Sequence, residues 1–371
     1  MKRLLPLVLC LLLVLPLPLK TAEAQGSISA QGAVLIEAAS GRLLYRKNET
    51  QRLPMASTTK IMTALLALEQ GQLQDVITVP AEAAGVEGSS LYLSAGEQLT
   101  LEDLLYGLLM ASGNDAAVAI ALYVDGSVAA FAQRMNERAA ALGCTDTHFV
   151  TPNGLHDPEH YTTALDLSRI AAAAMQNATF QKMVSTQRYT TTSGSHRRTF
   201  TTKNKVLTQI EGGCGIKTGY TKKAGRCLCF AARREGMLLI GTVLHAPDMW
   251  NDARLILEEG FSHYRLEPLL PGGQSLGQVA VMGSEKKALP VAAKQDILYP
   301  VKTDGSEGIT RETEIFESLQ APVSPGQQAG ECRLFVNGTL VNTVPLYTFE
   351  GADKRTWSGI FRQCMEAYLT A

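Results

Sequence analysis

The sequence predicts an α+β protein: a mostly antiparallel sheet covered by helices, then a small all-β domain and a C-terminal amphipathic helix. Strand patterns open and close the first 270 residues and helical patterns lie between them, which favours one sheet built from both ends of the segment. After residues 268–273 the chain is rich in Gly, Pro and short alternating strands. Apolar residues then recur at helical spacing from Trp357 to Leu369.

The first domain is predicted to begin with a β-hairpin, with strands at 33–36 and 42–45 around an Ala-Ser-Gly turn. Thr100 and Ser127 are placed to cap two of the helices, and Thr100 with Asp103 resembles a capping box. Apolar periodicity predicts helices at 57–68, 100–110, 116–123, 128–142, 164–175 and 251–264. Further strands are predicted at 76–80, 214–219, 227–232 and 237–244.

The ends of the chain have their own patterns. Lys2 and Arg3 precede an apolar run and an Ala-Glu-Ala site, so residues 1–24 are predicted to be a cleaved signal peptide; an uncleaved membrane anchor is the alternative. We therefore divide the chain into this signal, a catalytic domain (25–270), a small β domain (271–349) and a tail (350–371). The tail is either an interfacial membrane helix or a helix docked on its own domain.

Composition excludes several classes of protein. With 371 residues, 46% hydrophobic and 19% charged, the chain is long and apolar enough for a folded globular protein. Its net charge of -1 gives no nucleic-acid footprint. Six cysteines outside the predicted signal are too few for a disulfide scaffold, and no Cys/His spacing resembles a zinc site, so no metal or cofactor is expected. The six histidines are expected to be structural or surface residues.

Ser57 and Lys60 form the pattern with the clearest chemical meaning. Residues three apart share one face of a helix, so the serine Oγ and the lysine Nζ can meet. The dense apolar run after Lys60 predicts that its amine is buried, which lowers the pKa of a lysine. A neutral lysine can take the proton of Ser57 and make it a nucleophile. Alone, Ser-x-x-Lys also occurs by chance in many proteins.

Two further motifs follow in order, and together the three change the interpretation. The motifs are Ser57-x-x-Lys60, Ser112-Gly113-Asn114 and Lys217-Thr218-Gly219. Behind a signal peptide they are the signature set of penicillin-recognising serine enzymes. The Ser-Gly-Asn form resembles the D-alanyl-D-alanine carboxypeptidases, the low-molecular-weight penicillin-binding proteins, and similar segments lie at 54–63, 151–155, 161–166 and 215–225. The resemblance covers nearly the whole mature chain and implies a β-lactamase/transpeptidase-like catalytic domain.

The resemblance implies a catalytic role for three side chains. Ser57 attacks the carbonyl between two D-alanines and forms an acyl ester. Lys60 is its base, and Ser112 relays a proton to the leaving amine. Water then hydrolyses the ester. The implied substrates are peptidoglycan stem peptides ending in D-Ala-D-Ala, with β-lactams as covalent inhibitors.

It also implies a substrate-binding set. Asn114 holds Lys60 and the substrate amide, while Lys217 and Thr218 meet the terminal carboxylate. Gly219 lets the strand edge approach the ligand closely. The oxyanion hole is formed by the backbone N–H groups of Ser57 and Tyr220. The implied location is the outer face of the cell membrane or the cell wall.

Two other functions remain open from the residues. A β-lactamase shares the three motifs, but no Glu-x-x-Leu-Asn element lies between the second and third, and a second β domain is not expected there. A non-catalytic wall-binding or scaffold protein is the other, although every named site position is intact. A disulfide from Cys214 to Cys227 or Cys229 is a hypothesis, because sequence does not fix the pairing.

Overall fold

The computed structural model describes residues 28–369, so the predicted signal peptide lies outside the described residues. The strands of the first part are β1 (Gly32–Glu37), β2 (Leu43–Lys47), β3 (Val76–Thr78), β4 (Gln98–Thr100), β5 (Arg188–Thr190), β6 (Thr199–Thr201), β7 (Gly213–Thr221), β8 (Gly225–Arg234) and β9 (Met237–Leu244). Its helices are α1 (Lys60–Gln70), α2 (Leu101–Tyr106), α3 (Asn114–Asp125), α4 (Val128–Ala141), α5 (Ala164–Ala174), α6 (Ala178–Ser185), α7 (Val206–Gln209) and α8 (Met249–His263).

The central sheet joins the two ends of this part of the chain, as predicted. Its five strands run in the order β2-β1-β9-β8-β7, and every neighbouring pair is antiparallel. Strand β1 is buried along its whole length because both of its faces are covered. Val34 and Ile36 face the core formed with α1, α3 and α5, whereas Ala33 and Leu35 face α8. The arrangement leaves β7 at the edge of the sheet.

The predicted helices are present with small changes at their ends. Thr100 caps α2 by accepting a hydrogen bond from the Asp103 amide, and Ser127 caps α4 in the same way. The capping box is only half formed, because the Asp103 carboxylate instead accepts bonds from Tyr189 and Ser193. Helix α2 continues into a π-helical turn, residues 107–111, which leads into the second motif.

Residues 176–213 contain elements that the sequence analysis did not place. Helix α6 and the hairpin of β5 and β6 pack beside the π-helical turn. Tyr189 stacks on Tyr106 with the ring centroids 3.6 Å apart, and Asp103 bonds the backbone of Thr192. Strands of three residues rich in Thr carry little alternation, so periodicity does not reveal them.

The second part of the chain is the predicted all-β domain. Its strands are β10 (Tyr264–Leu270), β11 (Gly277–Met282), β12 (Ala288–Ala292), β13 (Ile297–Lys302), β14 (Ile309–Ile315), β15 (Ser318–Gln320), β16 (Gln328–Val336) and β17 (Thr339–Thr348). Six of them form one sheet in the order β14-β16-β17-β12-β11-β15. Strand β10 pairs with β13, and Leu269 and Leu270 lie in the second core, although the sequence division placed them in the first domain. We therefore propose a boundary near residue 264.

A buried ion pair joins the two parts. The Arg42 guanidinium, from the β1–β2 turn, bonds the carboxylate of Glu307, and both side chains are largely buried. The guanidinium carbon lies 5.2 Å from the Tyr264 ring centroid and 5.3 Å from that of Tyr299. An arginine between two aromatic faces with a bound carboxylate is a specific contact, so it orients the β domain against the sheet.

The disulfide hypothesis is wrong for this structure. The five cysteines whose side chains are described are all free thiols, at positions 144, 214, 227, 229 and 332. The register of β7 and β8 gives the reason, since Cys227 lies opposite Gly219 and Cys229 opposite Lys217, whereas Cys214 sits in a bulge near Ala231 and Ala232. Cys214 is therefore several residues out of register with both predicted partners.

The chain ends in helix α9 (Trp357–Leu369). Its described apolar side chains are exposed, including Trp357 at 87% and Tyr368 at 81%. Among residues 28–369 no single helix has the length and apolar composition of a membrane span; α3 and α4 together do, but they are bent by 84°.

Candidate active site

The three motifs meet in one cleft of about 330 Å³. Its walls come from the start of α1, the end of the π-helical turn and the edge strand β7. Ser57, Ser112, Lys217, Thr218, Gly219 and Tyr220 all line it. Arg226 and Lys203 also line the cleft, and the described lining residues include no carboxylate, so the cleft favours an anionic ligand.

Ser57 lies in a tight turn before α1. Residues Ala56–Thr59 form a 3₁₀ turn, and Ala56 has a left-handed backbone with φ of +49°. A side chain at Gly154 would come within 2.0 Å of the Ala56 carbonyl oxygen, so only glycine fits against it. A side chain at Gly219 would crowd the Ser57 amide at 3.1 Å, which shows how closely β7 passes the nucleophile.

Lys60 is fully buried beneath Ser57. Its Nζ lies 3.1 Å from Ser57 Oγ, 2.7 Å from Asn114 Oδ1 and 2.7 Å from the Asn153 carbonyl oxygen. Burial lowers the pKa of Lys60 well below its usual value, and repulsion from Lys217 lowers it further, whereas Asp115 opposes the shift. The structure therefore favours the neutral amine.

Ser112 and Lys217 form the opposite side of the cleft. Ser112 has a left-handed backbone with φ of +63°, which ends the π-helical turn and points its hydroxyl into the cleft. Lys217 Nζ lies 3.2 Å from Ser112 Oγ and 3.0 Å from the Thr218 carbonyl oxygen. Burial lowers the pKa of Lys217 to about 7.

Asn114 is held from both of its ends. Its Nδ2 donates to the Glu87 carbonyl at 2.6 Å, which turns Oδ1 toward Lys60. The neighbouring Asp115 carboxylate accepts bonds from the amides of Leu91 and Leu93 and so fixes the loop that covers Asn114. The Asn114 amide in turn donates to the Ser89 carbonyl. These contacts place the side chain at a single orientation.

The edge of β7 leaves backbone groups available on its cleft side. Within residues 28–369, β8 is the one strand that pairs with β7, with Tyr220 opposite Arg226 and Thr218 opposite Leu228. An extended peptide can add to such an edge as a further strand. The Tyr220 side chain is 65% exposed, so its position in the cleft depends on the backbone and not on a buried ring.

The structure brings all eight predicted site residues into one cleft or its immediate wall. The structure also shows groups that the sequence analysis missed. The Asn153 carbonyl accepts a hydrogen bond from Lys60, and Thr59 and His160 form a buried hydrogen bond behind Ser57. The segment around Asn153 carried a signal, since it resembled a family segment, but a backbone carbonyl has no sequence signature. For His160 the sequence predicts only a structural or surface role.

Comparison with known proteins identifies the family. The model of a family described as D-alanyl-D-alanine carboxypeptidase matches residues 19–248. The chain belongs to the D-alanyl-D-alanine carboxypeptidase family. A second model, described as the C-terminal domain of penicillin-binding protein 5, matches residues 264–354. The chain is thus a serine-type D-Ala-D-Ala carboxypeptidase with the two-domain plan of the low-molecular-weight penicillin-binding proteins.

Individual members of the family cover most of the chain. It is 31% identical to D-alanyl-D-alanine carboxypeptidase DacF of Bacillus subtilis, over 91% of this chain and 89% of that protein. It is 38% identical to the D-alanyl-D-alanine carboxypeptidase of Streptomyces sp. strain K15, over 65% of this chain and 90% of that one. The crystal structure of penicillin-binding protein 5 from Haemophilus influenzae is similar with a TM-score of 0.74 at 28% identity, covering 89% of this chain and 99% of that one.

Proposed function

We propose that Ser57, activated by a neutral Lys60, removes the terminal D-alanine from peptidoglycan stem peptides through an acyl-enzyme. The supporting observation is the hydrogen-bond inventory of Lys60. A neutral amine has two N–H donors and one lone pair, and the Asn114 and Asn153 oxygens near Nζ can only accept. The two donors therefore go to these carbonyls, and the lone pair is left for the Ser57 hydroxyl.

The reaction then proceeds with balanced proton transfers. Ser57 Oγ attacks the carbonyl carbon of the penultimate D-alanine while its proton passes to Lys60. The amide C–N bond breaks, and the leaving amine takes that proton from Lys60 through the Ser112 hydroxyl, which Lys217 holds by a hydrogen bond, so Lys60 is neutral again. Water then attacks the ester carbonyl carbon while Lys60 takes its proton, and Lys60 passes this proton to Ser57 Oγ as the ester C–O bond breaks. The backbone N–H groups of Ser57 and Tyr220 stabilise the oxyanion in both steps.

The terminal carboxylate of the substrate binds at Lys217 and Thr218, and Asn114 holds the substrate amide. The cationic lining supports this assignment, because Lys203 and Arg226 stand in the same cleft and no described carboxylate opposes them. Gly219 lets the peptide lie against β7 without a side chain between them. β-Lactams, whose ring carbonyl takes the place of the peptide bond, acylate the same serine.

Release of D-alanine from a peptide ending in Lys-D-Ala-D-Ala tests the proposal. Ser57→Ala should lower kcat/KM by at least about 10³-fold, as removal of a nucleophile does elsewhere. Ser195→Ala, in an exposed loop, is the matched control and should leave the rate unchanged. Equal release by wild type and Ser57→Ala would refute the role of Ser57, and rapid multiple turnover of a chromogenic β-lactam would favour the β-lactamase instead.

Two proposals concern where the enzyme works. The signal pattern at residues 1–24, together with the family's substrate, supports export to the outer face of the membrane or the cell wall. The exposed apolar side chains of α9, spaced at 357, 361, 365 and 368 behind Lys354 and Arg355, support peripheral contact with a membrane surface. Sedimentation with anionic vesicles should carry the chain down, and substitution of Trp357 and Phe361 by Ser should reduce it several-fold; unchanged sedimentation would exclude the contact.

A further inference from the structure

The proposed mechanism leaves one buried imidazole unused. His160 is 3% exposed, lies behind the nucleophile turn, and is not one of the residues that line the cleft. Its Nδ1 lies 2.9 Å from the Val150 amide nitrogen and 3.3 Å from that of Thr151. Backbone N–H groups can only donate, so Nδ1 is the acceptor and carries no proton.

The other ring nitrogen is thereby fixed as a donor. Nε2 lies 2.8 Å from the hydroxyl oxygen of Thr59. That hydroxyl donates its own proton to the Ala56 carbonyl, also at 2.8 Å, so it can only accept from His160. The chain of donors runs in one direction, from the loop amides through the imidazole and Thr59 to the carbonyl that precedes Ser57.

Both ends of this series of hydrogen bonds lie next to residues that position the reacting atoms. At one end, the Ala56 carbonyl belongs to a left-handed residue immediately before Ser57, a conformation that is strained for an alanine and that its surroundings must hold. At the other end, the amides of Val150 and Thr151 belong to the loop whose Asn153 carbonyl binds Lys60 Nζ. One imidazole thus links the backbone that sets the nucleophile to the backbone that sets its base.

We propose that His160 is a positioning residue for acylation: as the neutral Nε2–H tautomer it locks the Thr59 hydroxyl onto the Ala56 carbonyl and holds Ser57 and Lys60 in mutual register. The proposal rests on the proposed function, since it concerns the same serine and lysine. Burial is the largest influence on the imidazole and lowers the pKa of His160 to about 4. The charge of Asp157 opposes this shift, whereas His148, His156 and Lys60 add to it. The ring therefore stays neutral across the working range of pH.

The test measures the acylation rate constant k2 and the non-covalent constant K for a fluorescent penicillin. Thr59→Val keeps the shape of the side chain and removes the hydroxyl, and should lower k2 by about tenfold or more with K within about threefold, because misplacement of reacting groups by about 1 Å costs up to about 10² in rate. Thr59→Ser keeps the hydroxyl and should stay within about threefold. A variant that is merely less stable would lose active enzyme, counted by penicillin stoichiometry, but would keep its k2.

Histidine variants separate the two halves of the link. The side chain of His160→Gln can still donate a hydrogen bond to Thr59. The shorter side chain of His160→Asn can accept from the loop amides but leaves Thr59 without its donor. His160→Asn should therefore match Thr59→Val, and the double variant of His160→Asn with Thr59→Val should be no worse than either alone. His263→Asn, an exposed histidine at the end of α8, is the matched control and should be silent. Thr59→Val with k2 within threefold of wild type, while the wild type is still acylated at Ser57, would overturn the positioning role and leave the proposed function standing.

A measurement on the wild-type chain does not depend on the folding of any His160 or Thr59 variant. Nitrogen-15 NMR of histidine-labelled protein, with His160 assigned by replacing the other five histidines in turn, should show a proton on Nε2 and none on Nδ1 at neutral pH. The opposite tautomer, or a doubly protonated ring, would break the chain of donors and contradict the proposal.

Discussion

The two domains of this chain bury different kinds of residue. The first places Lys60, Asn114, Asp115, His160 and Lys217 inside its core, each with hydrogen-bond partners or a paired charge. Of the buried polar residues that the structure describes, only Ser284 and Thr348 belong to the β domain, whose core is otherwise apolar; the Glu307 side chain is largely buried in its ion pair with Arg42. Buried polar groups stabilise little unless every partner is present, so the first domain carries them for chemistry and the second gains stability from apolar packing.

The largest expected effect comes from replacing the neutral base with a side chain that stays protonated. Lys60→Arg keeps N–H donors at this position but cannot lose a proton at working pH. If neutral Lys60 accepts the Ser57 proton, k2/K for a β-lactam should fall by about 10²–10⁴-fold, the usual contribution of general base catalysis. Lys222→Arg, on the exposed turn after β7, is the matched control. Retention of more than a tenth of the wild-type rate would show that the proton goes elsewhere.

A smaller effect is expected at the other lysine, with a pH signature. Lys217→Gln should lower kcat/KM by at least about 30-fold, since loss of a buried charged partner costs at least about 2 kcal/mol. In the wild type, kcat/KM should rise with pH as Lys60 loses its proton and fall as Lys217, with a pKa near 7, loses its own; the two apparent values belong to the coupled pair. Repulsion from Lys217 lowers the pKa of Lys60, so this pKa rises when Lys217 is removed. The ascending limb of the pH profile of kcat/KM should therefore move to higher pH in Lys217→Gln. A fixed ascending limb would contradict the coupling.

The β domain should respond in stability and not in rate. Leu334 is fully buried in the second core, and Leu334→Ala should lower the free energy of unfolding of that domain by about 2–5 kcal/mol while kcat/KM at 25 °C changes by less than about twofold. Leu340→Ala, half exposed on β17, is the control and should change neither. Chemical denaturation and D-alanine release would check both; a parallel loss of activity would show that the β domain shapes the cleft.

The smallest expected effect concerns the buried thiols, which occur in both domains. Burial raises the pKa of Cys227 to about 11 and that of Cys229 to about 12, so neither should react with iodoacetamide in the native protein at pH 8. After unfolding without reductant, Cys214, Cys227 and Cys229 should all be alkylated. A disulfide-linked peptide from β7 and β8 in the non-reduced digest would contradict the register seen here.

The sequence predicted those features that follow from local periodicity and short motifs. The meeting of Ser57 and Lys60 follows from a three-residue spacing, and the closing hairpin of β8 and β9 from apolar runs around Arg-Arg-Glu-Gly. Features that depend on backbone conformation could not be predicted from the sequence. These are the left-handed backbone of Ala56, the hydrogen bond from Lys60 to the Asn153 carbonyl and the direction of the Asp103 carboxylate.

Other elements were missed because their pattern was weak or misleading. Strand β10 contains Pro268 and crosses the region where the sequence analysis ends the first domain, at residue 270, yet the strand pairs with β13 up to and beyond the proline. The hairpin of β5 and β6 is short and polar, so nothing in its composition separates it from a loop. The disulfide hypothesis failed because proximity in sequence along two strands says little about which residues face each other.

The most direct test is to label the purified chain with a fluorescent penicillin and map the adduct by peptide mass spectrometry. A single adduct on the peptide containing Ser57, lost in Ser57→Ala and slowed in Lys60→Arg, is the expected result. An adduct on any other side chain, or stoichiometric labelling of Ser57→Ala, would contradict the assignment of Ser57 as the nucleophile.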